Sequence, residues 1–155
     1  MSEQTKEEEI KGPLIEKLML QIQRDMDNIP KSGYNKSQKY AFRTIDDVLN
    51  HVRIHCNNNR VTVSPCMMEL KHYSAETEGG KTKVRCVVHA SYQFTAPDGS
   101  FKYVQAIGEG VDFGGDKASY KAMTGAQKYA LTQAFSTPCE GLDPENDSGQ
   151  GPQGR

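Results

Sequence analysis

Nowhere in the 155 residues is there a run of eighteen apolar side chains, so the sequence predicts no membrane-spanning helix. The N-terminal stretch MSEQTKEEEI is acidic where a secretory leader would be basic and then apolar. Cysteine pairs at metal-ligand spacing are absent too. Cys56, Cys66, Cys86 and Cys139 contain no CxxC, which argues against both a zinc ribbon and a small disulfide scaffold. Reduced thiols suit a cytoplasmic compartment, and Cys86, alternating with Val84 and Val88, reads as a small core hydrophobe. Apolar residues make up only 35% of the chain and the mean hydropathy is −0.72, so the core must be modest and the surface polar. The length suits one domain.

The net charge of −1 is unevenly spread. Residues 1–30 carry four basic and seven acidic side chains, residues 31–139 fourteen basic and nine acidic, and residues 140–155 one basic and four acidic. The middle of the chain can therefore present a basic surface to a polyanion.

Residues 1–11 are polar and expected to fray. Gly12 and Pro13 open a helix with Pro13 at its first position, where the missing N–H costs nothing. Leu14, Ile15, Leu18, Met19, Ile22 and Met26 form its apolar stripe, and Ile29-Pro30 is its expected end. Leu20 lies off that stripe and is available to a neighbouring subunit. A basic loop, Lys31 to Lys39, pivots on Gly33 and leads into an extended Tyr40-Ala-Phe-Arg43. Thr44, with Asp47 three residues on, predicts a capped second helix through Ile45, Val48, Leu49, Val52 and Cys56, stopped by Asn57-Asn58-Asn59. Three antiparallel strands follow. The first runs from Val61 to about Tyr73 with a break at Pro65. The second, Thr82 to Thr95, has Val84, Cys86, Val88, Ala90, Tyr92 and Phe94 on one face. The third runs from Phe101 to about Val111. A glycine-rich bend from Gly108 to Gly115 then leads to Asp116, the expected N-cap of a last helix over 117–136 that Pro138 closes. This is an α+β core over residues 1–142: a three-stranded antiparallel meander packed on a long C-terminal helix, with two helices before it. Residues 143–155 have the composition of a disordered acidic, glycine-rich tail.

The glycine bend fails as a phosphate loop. Gly110 and Gly115 have the right separation, but Asp116 stands where a Walker lysine is required, and Phe113 replaces the third glycine of a dinucleotide fingerprint. Glycines that simply turn the chain are the favoured reading. On the last helix Lys117, Lys121 and Lys128 share one face with Thr124. A solvated stripe explains them as well as a ligand site until the Tyr40–Arg43 segment is added. Two aromatics and an arginine after a loop with Lys31, Lys36 and Lys39 suit a stacking and phosphate-holding edge, although Tyr40 and Phe42 would also serve as core plugs. His51 and His55 are four apart beside Cys56, but nothing nearby completes a metal site, and exposed histidines are favoured. No nucleophile–base constellation and no paired carboxylates in a cleft are evident. Asp46-Asp47 reads as helix capping.

Two blocks carry a family resemblance: Tyr40-Ala-Phe-Arg-Thr-Ile-Asp-Asp-Val48, and Gly108-Glu-Gly-Val-Asp-Phe-Gly-Gly-Asp-Lys-Ala-Ser-Tyr-Lys-Ala-Met-Thr-Gly-Ala-Gln-Lys-Tyr-Ala-Leu131 with Phe135 and Pro138 beyond. In this order around a meander, they resemble the signature of the Erf (essential recombination function) family over residues of about 35 to 144. The resemblance implies a phage single-strand annealing protein with a β-β-β-α core like that of the ring-forming eukaryotic annealing mediators. It implies that Arg43 and Lys128 hold the DNA backbone; Tyr129 stands where the eukaryotic pattern has a second basic residue. The expected function is ATP-independent binding of single-stranded DNA and annealing of complementary strands, with no enzymatic step, cofactor or metal. The candidate DNA-binding residues are Lys39, Tyr40, Arg43, Lys117, Lys121 and Lys128. Expected partners are single-stranded DNA, further copies in a ring or helical assembly, and a host or phage single-strand binding protein or exonuclease, in a bacterial cytoplasm. The alternatives are a double-stranded RNA-binding module, which shares a Gly-x-Gly bend before a lysine-bearing helix, and a small nucleotide-dependent enzyme.

Overall fold

A computed structural model describes residues 11–137. The elements run α1 (Leu14–Asp25), β1 (Gly33–Asn35), β2 (Tyr40–Phe42), α2 (Ile45–Asn58), β3 (Thr62–Glu78), β4 (Lys81–Thr95), β5 (Phe101–Phe113) and α3 (Ala118–Ala134). The architecture is α+β, with β3-β4-β5 an antiparallel meander and α3 packed against it, as predicted. Residues 1–10, Pro138, Cys139 and the 143–155 tail lie outside the described residues. No helix among those described is long and apolar enough to cross a membrane.

The central strand is where alternation placed it. Val84, Cys86, Val88, Ala90, Tyr92 and Phe94 are all buried on one face of β4. Gly79 and Gly80 join β3 to β4 with φ of 58° and 77°, and positive φ at both positions is what a two-residue hairpin turn of matching twist requires. Pairing therefore continues to Glu78 opposite Lys81, and β3 ends at the turn rather than near Tyr73. Register shifts between Pro65 and Met67 and between Leu70 and His72 put bulges at Cys66 and Lys71. The first follows the proline that cannot donate to the ladder.

Ala118, Ala122, Ala126 and Ala130, four apart, are all buried and form the ridge of α3 that rests on the sheet. Facing them, β5 offers glycine. A Cβ at Gly108 would strike the Ala122 carbonyl, and one at Gly110 the Ala118 carbonyl. Helix backbone thus lies directly on strand backbone. Gly108 and Gly110 are part of β5 and do not turn the chain; Gly114 and Gly115, with φ of 107° and 91°, do.

Helix α2 has the predicted capping box: Thr44 Oγ1 accepts from the Asp47 N–H at 3.1 Å, and the Asp47 carboxylate accepts from the Thr44 N–H at 2.8 Å. Its Val48, Val52 and Cys56 are buried, and it packs on α3. Burial pushes the Cys56 thiol up to about 11. Helix α1 buries Ile15, Met19 and Ile22. Pro13 is its N-cap residue rather than its first helical one, and Ser100 Oγ accepts from the Ile15 N–H at 3.0 Å. The helix stops at Asp25, four residues before Ile29-Pro30. Met26 takes an extended backbone while its N–H still donates to the Ile22 carbonyl, and the chain then turns Ile29 into the core.

Candidate nucleic-acid interface

The segment read as a loop pivoting on Gly33 is half of a hairpin. Gly33, Tyr34 and Asn35 pair with Phe42, Ala41 and Tyr40. Asn35 Oδ1 accepts from the Ser37 and Gln38 N–H groups at 3.0 and 3.1 Å, which shapes the tip, and Lys39 closes it in a left-handed backbone with φ 55°. Gly33 is a seat rather than a pivot: the Phe42 ring lies over it, so close that a Cβ would stand 2.6 Å from two ring carbons. Tyr40 and Phe42 make an edge-to-face contact with centroids 6.1 Å apart, and each is 37% exposed.

The hairpin root is anchored to α2. Ser32 donates to the Asp47 carboxylate through its hydroxyl at 2.7 Å and its N–H at 3.2 Å, so Asp47 serves both the cap and the root. Burial works against the charged carboxylate, but the hydrogen bonds from Ser32 and Thr44 outweigh it and bring Asp47 down to about 2.

Arg43 and Lys128 come together, though not as two free cations. Arg43 is only 8% exposed, and its Nε donates to the Ile29 carbonyl at 2.8 Å. Lys128 Nζ in turn donates to the Arg43 carbonyl at 3.2 Å. This bond carries the lysine face of α3 to the base of the aromatic hairpin. Nζ has three donors, so Lys128 can keep this seat and still reach a phosphate.

Lys117 and Lys121 sit at the other end of that face, with Lys121 about 10 Å from Lys128 along the helix axis. Lys121 Nζ bonds Asp112 Oδ1 at 2.6 Å and the Val111 carbonyl at 3.0 Å. The ammonium beside it holds the Asp112 carboxyl below the usual carboxylate range, although partial desolvation opposes that shift. Asp112 also accepts from the Gly115 and Lys117 N–H groups at 3.2 and 3.4 Å. Asp116 is not the N-cap: Lys117 occupies that position with no side-chain cap hydrogen bond, and Asp112 instead ties down the positive-φ Gly114-Gly115 bend that leads into the helix. Lys39 and Lys117 are exposed at opposite ends of the surface.

Three contributors were missed from sequence: Ser32 and Asp47 as the brace, and Asp112 as the anchor of Lys121. Tyrosines flanking Asn35-Lys36-Ser37-Gln38-Lys39 were a usable hairpin signal. The brace had no local signal, since Ser32 and Asp47 are fifteen residues apart. His51 and His55 are half-buried with rings 6.3 Å apart, and among the described residues no three His, Cys, Asp or Glu side chains gather as a metal site.

A search of curated proteins finds no match to the chain. The family model of the ERF superfamily matches residues 15–154, nearly the whole chain. That span takes in the hairpin, the meander, α3 and both sequence blocks. The chain belongs to the ERF superfamily.

Proposed function

We propose that this protein binds single-stranded DNA along the lysine face of α3 and the β1–β2 hairpin, and anneals it to a complementary strand without nucleotide hydrolysis. Membership of the superfamily supports a recombination function of the annealing type. The observation that carries the finer reading is the Lys128–Arg43 contact, which joins a row of lysines to a pair of exposed aromatics. Lys128, Lys117 and Lys39 hold phosphates, Lys121 adds to the row from its seat on Asp112, and Tyr40 stacks on a base. Sequence-tolerant grip of this kind is how single strands are bound without base readout. Arg43 holds the hairpin to Ile29 and so positions the aromatic pair beside the lysine row. Pairing needs no external energy source, since stacking contributes about 1.4 kcal/mol per step.

A nucleotide-dependent enzyme is disfavoured because Gly108 and Gly110 lie against α3 and cannot cradle a phosphate. We also propose a homo-oligomer. On β5, Phe101, Tyr103, Ile107 and Phe113 are each more than half exposed, and strand alternation puts them on the sheet face away from α3. Such a patch marks an interaction surface. A competition gel with single-stranded DNA, duplex DNA and duplex RNA tests the substrate. Preference for the single strand is expected, and preference for duplex RNA would overturn the reading.

A further inference from the structure

The β1–β2 ribbon is a two-stranded sheet of its own, separate from the meander. Its pairing puts Tyr40 and Phe42 on one face with Gly33 and Asn35, while Tyr34 and its partner Ala41 point the other way. Tyr34 is 59% exposed. The ribbon therefore carries exposed aromatic rings on both faces and two lysines, Lys36 and Lys39, at its tip. Core packing does not explain Tyr34, whose ring is left mostly in water, while Tyr40 and Phe42 keep about a third of their surface open on the other face. An isolated two-stranded ribbon is marginal by itself, yet this one is held at the tip by Asn35 and at the root by Phe42 over Gly33, by Ser32–Asp47 and by Arg43–Ile29. Holding a ribbon this firmly makes sense where it must keep its shape between two ligands.

We propose that the ribbon is a pin at the junction where two single strands converge into duplex. Tyr40 and Phe42 face the strand held along α3 and stack on its last unpaired base. Tyr34 stacks on the last unpaired base of the incoming complementary strand, and Lys36 and Lys39 sit between the two backbones. Rings on opposite faces of the ribbon have its backbone layer between them, which keeps two unpaired bases apart until they pass the tip. The inference rests on the reading above, in which the Tyr40 face holds the first strand, and adds a second strand on the opposite face.

The test compares a labelled single strand with a forked DNA bearing two non-complementary tails, by fluorescence anisotropy. Tyr34→Ala should bind the lone strand within about twofold of wild type but the fork about tenfold more weakly, a loss in the range of one base–aromatic stack. Tyr34→Thr, which keeps strand propensity without a ring, should behave the same way, and Tyr34→Phe should bind like wild type. Tyr40→Ala should weaken both complexes. The pin is overturned if Tyr34→Ala and Tyr34→Thr bind the fork like wild type, or if they lose as much on the lone strand. Wild-type protein that binds neither DNA would defeat the underlying reading as well. Wild type that binds both, with the Tyr34 variants indifferent, would defeat the pin alone.

Discussion

Arg43 and Lys128 meet at one carbonyl, but their substitutions should have different consequences. Lys128 is half-buried, and its bond to the Arg43 carbonyl is a single contact. Lys128→Ala should fold and bind single strands of every sequence more weakly, with the slope of log K against log salt shallower by about 0.7. Lys102→Ala is the control: Lys102 pairs with Glu16 at 2.9 Å across an exposed surface and lies outside the proposed groove, so the slope should not change. An unchanged slope for Lys128→Ala in a salt titration would reduce the lysine row to a solvated face. Arg43→Ala removes the donor to the Ile29 carbonyl, beside a residue only 2% exposed, and should also destabilise the fold by about 1–3 kcal/mol in urea denaturation. The family resemblance implied one role for both residues, holding the DNA backbone; the burial of Arg43 gives it a structural role as well. Asp47 makes a pH prediction. Its carboxyl lies at about 2 against an ordinary 3.8, so its share of stability is present above about pH 4 and lost as the pH falls towards 2. Asp47→Asn should be less stable at neutral pH and should lose less further stability over that acid window. Thermal melts at pH 7, 4 and 2.5 would show it.

At the scale of elements, the closest fit in the molecule is the seat of α3 on β5. Because a Cβ at Gly110 would meet the Ala118 carbonyl and the Ala122 N–H, Gly110→Ala must lift the helix or bend the strand. A loss of at least about 2 kcal/mol is expected in urea denaturation. A near-neutral substitution would mean that the helix is not so closely seated. Gly114→Ala tests the other half of the glycine segment: nothing crowds a Cβ there, but φ of 107° strains any side chain, so the loss should be smaller. From the sequence all these glycines read as one bend. Spacing could not separate a glycine that turns the chain from one that makes room for a helix, because that distinction depends on what lies opposite. Local patterns did better. The alternation of β4 and the Thr44–Asp47 capping box each follow from neighbouring residues and were legible directly. The ends of α1 and β3 were not, since one depends on Ile29 entering the core and the other on a partner strand that keeps pairing to the turn.

For the whole molecule, the expected state in solution is an assembly larger than a dimer, because the groove of one chain is too short to align two long strands. Light scattering should show this with and without DNA, and a clean monomer in both conditions would refute it. Ile107→Glu changes a side chain that is 59% exposed on the open face of β5, so it should leave the fold intact while shrinking the assembly. What the sequence by itself determined was the order and kind of the helices and of the meander strands, the polar character of the chain, the basic middle and the family signature, all of which rest on local periodicity and residue type. Only the tertiary structure decided that Lys128 reaches the root of the aromatic hairpin, that Lys121 is tied to Asp112 and Arg43 to Ile29, and that Tyr34 faces away from Tyr40. Lys128 and Arg43 are eighty-five residues apart in the chain. Contacts at that separation are set by how α2, α3 and the meander pack together, which no local pattern encodes.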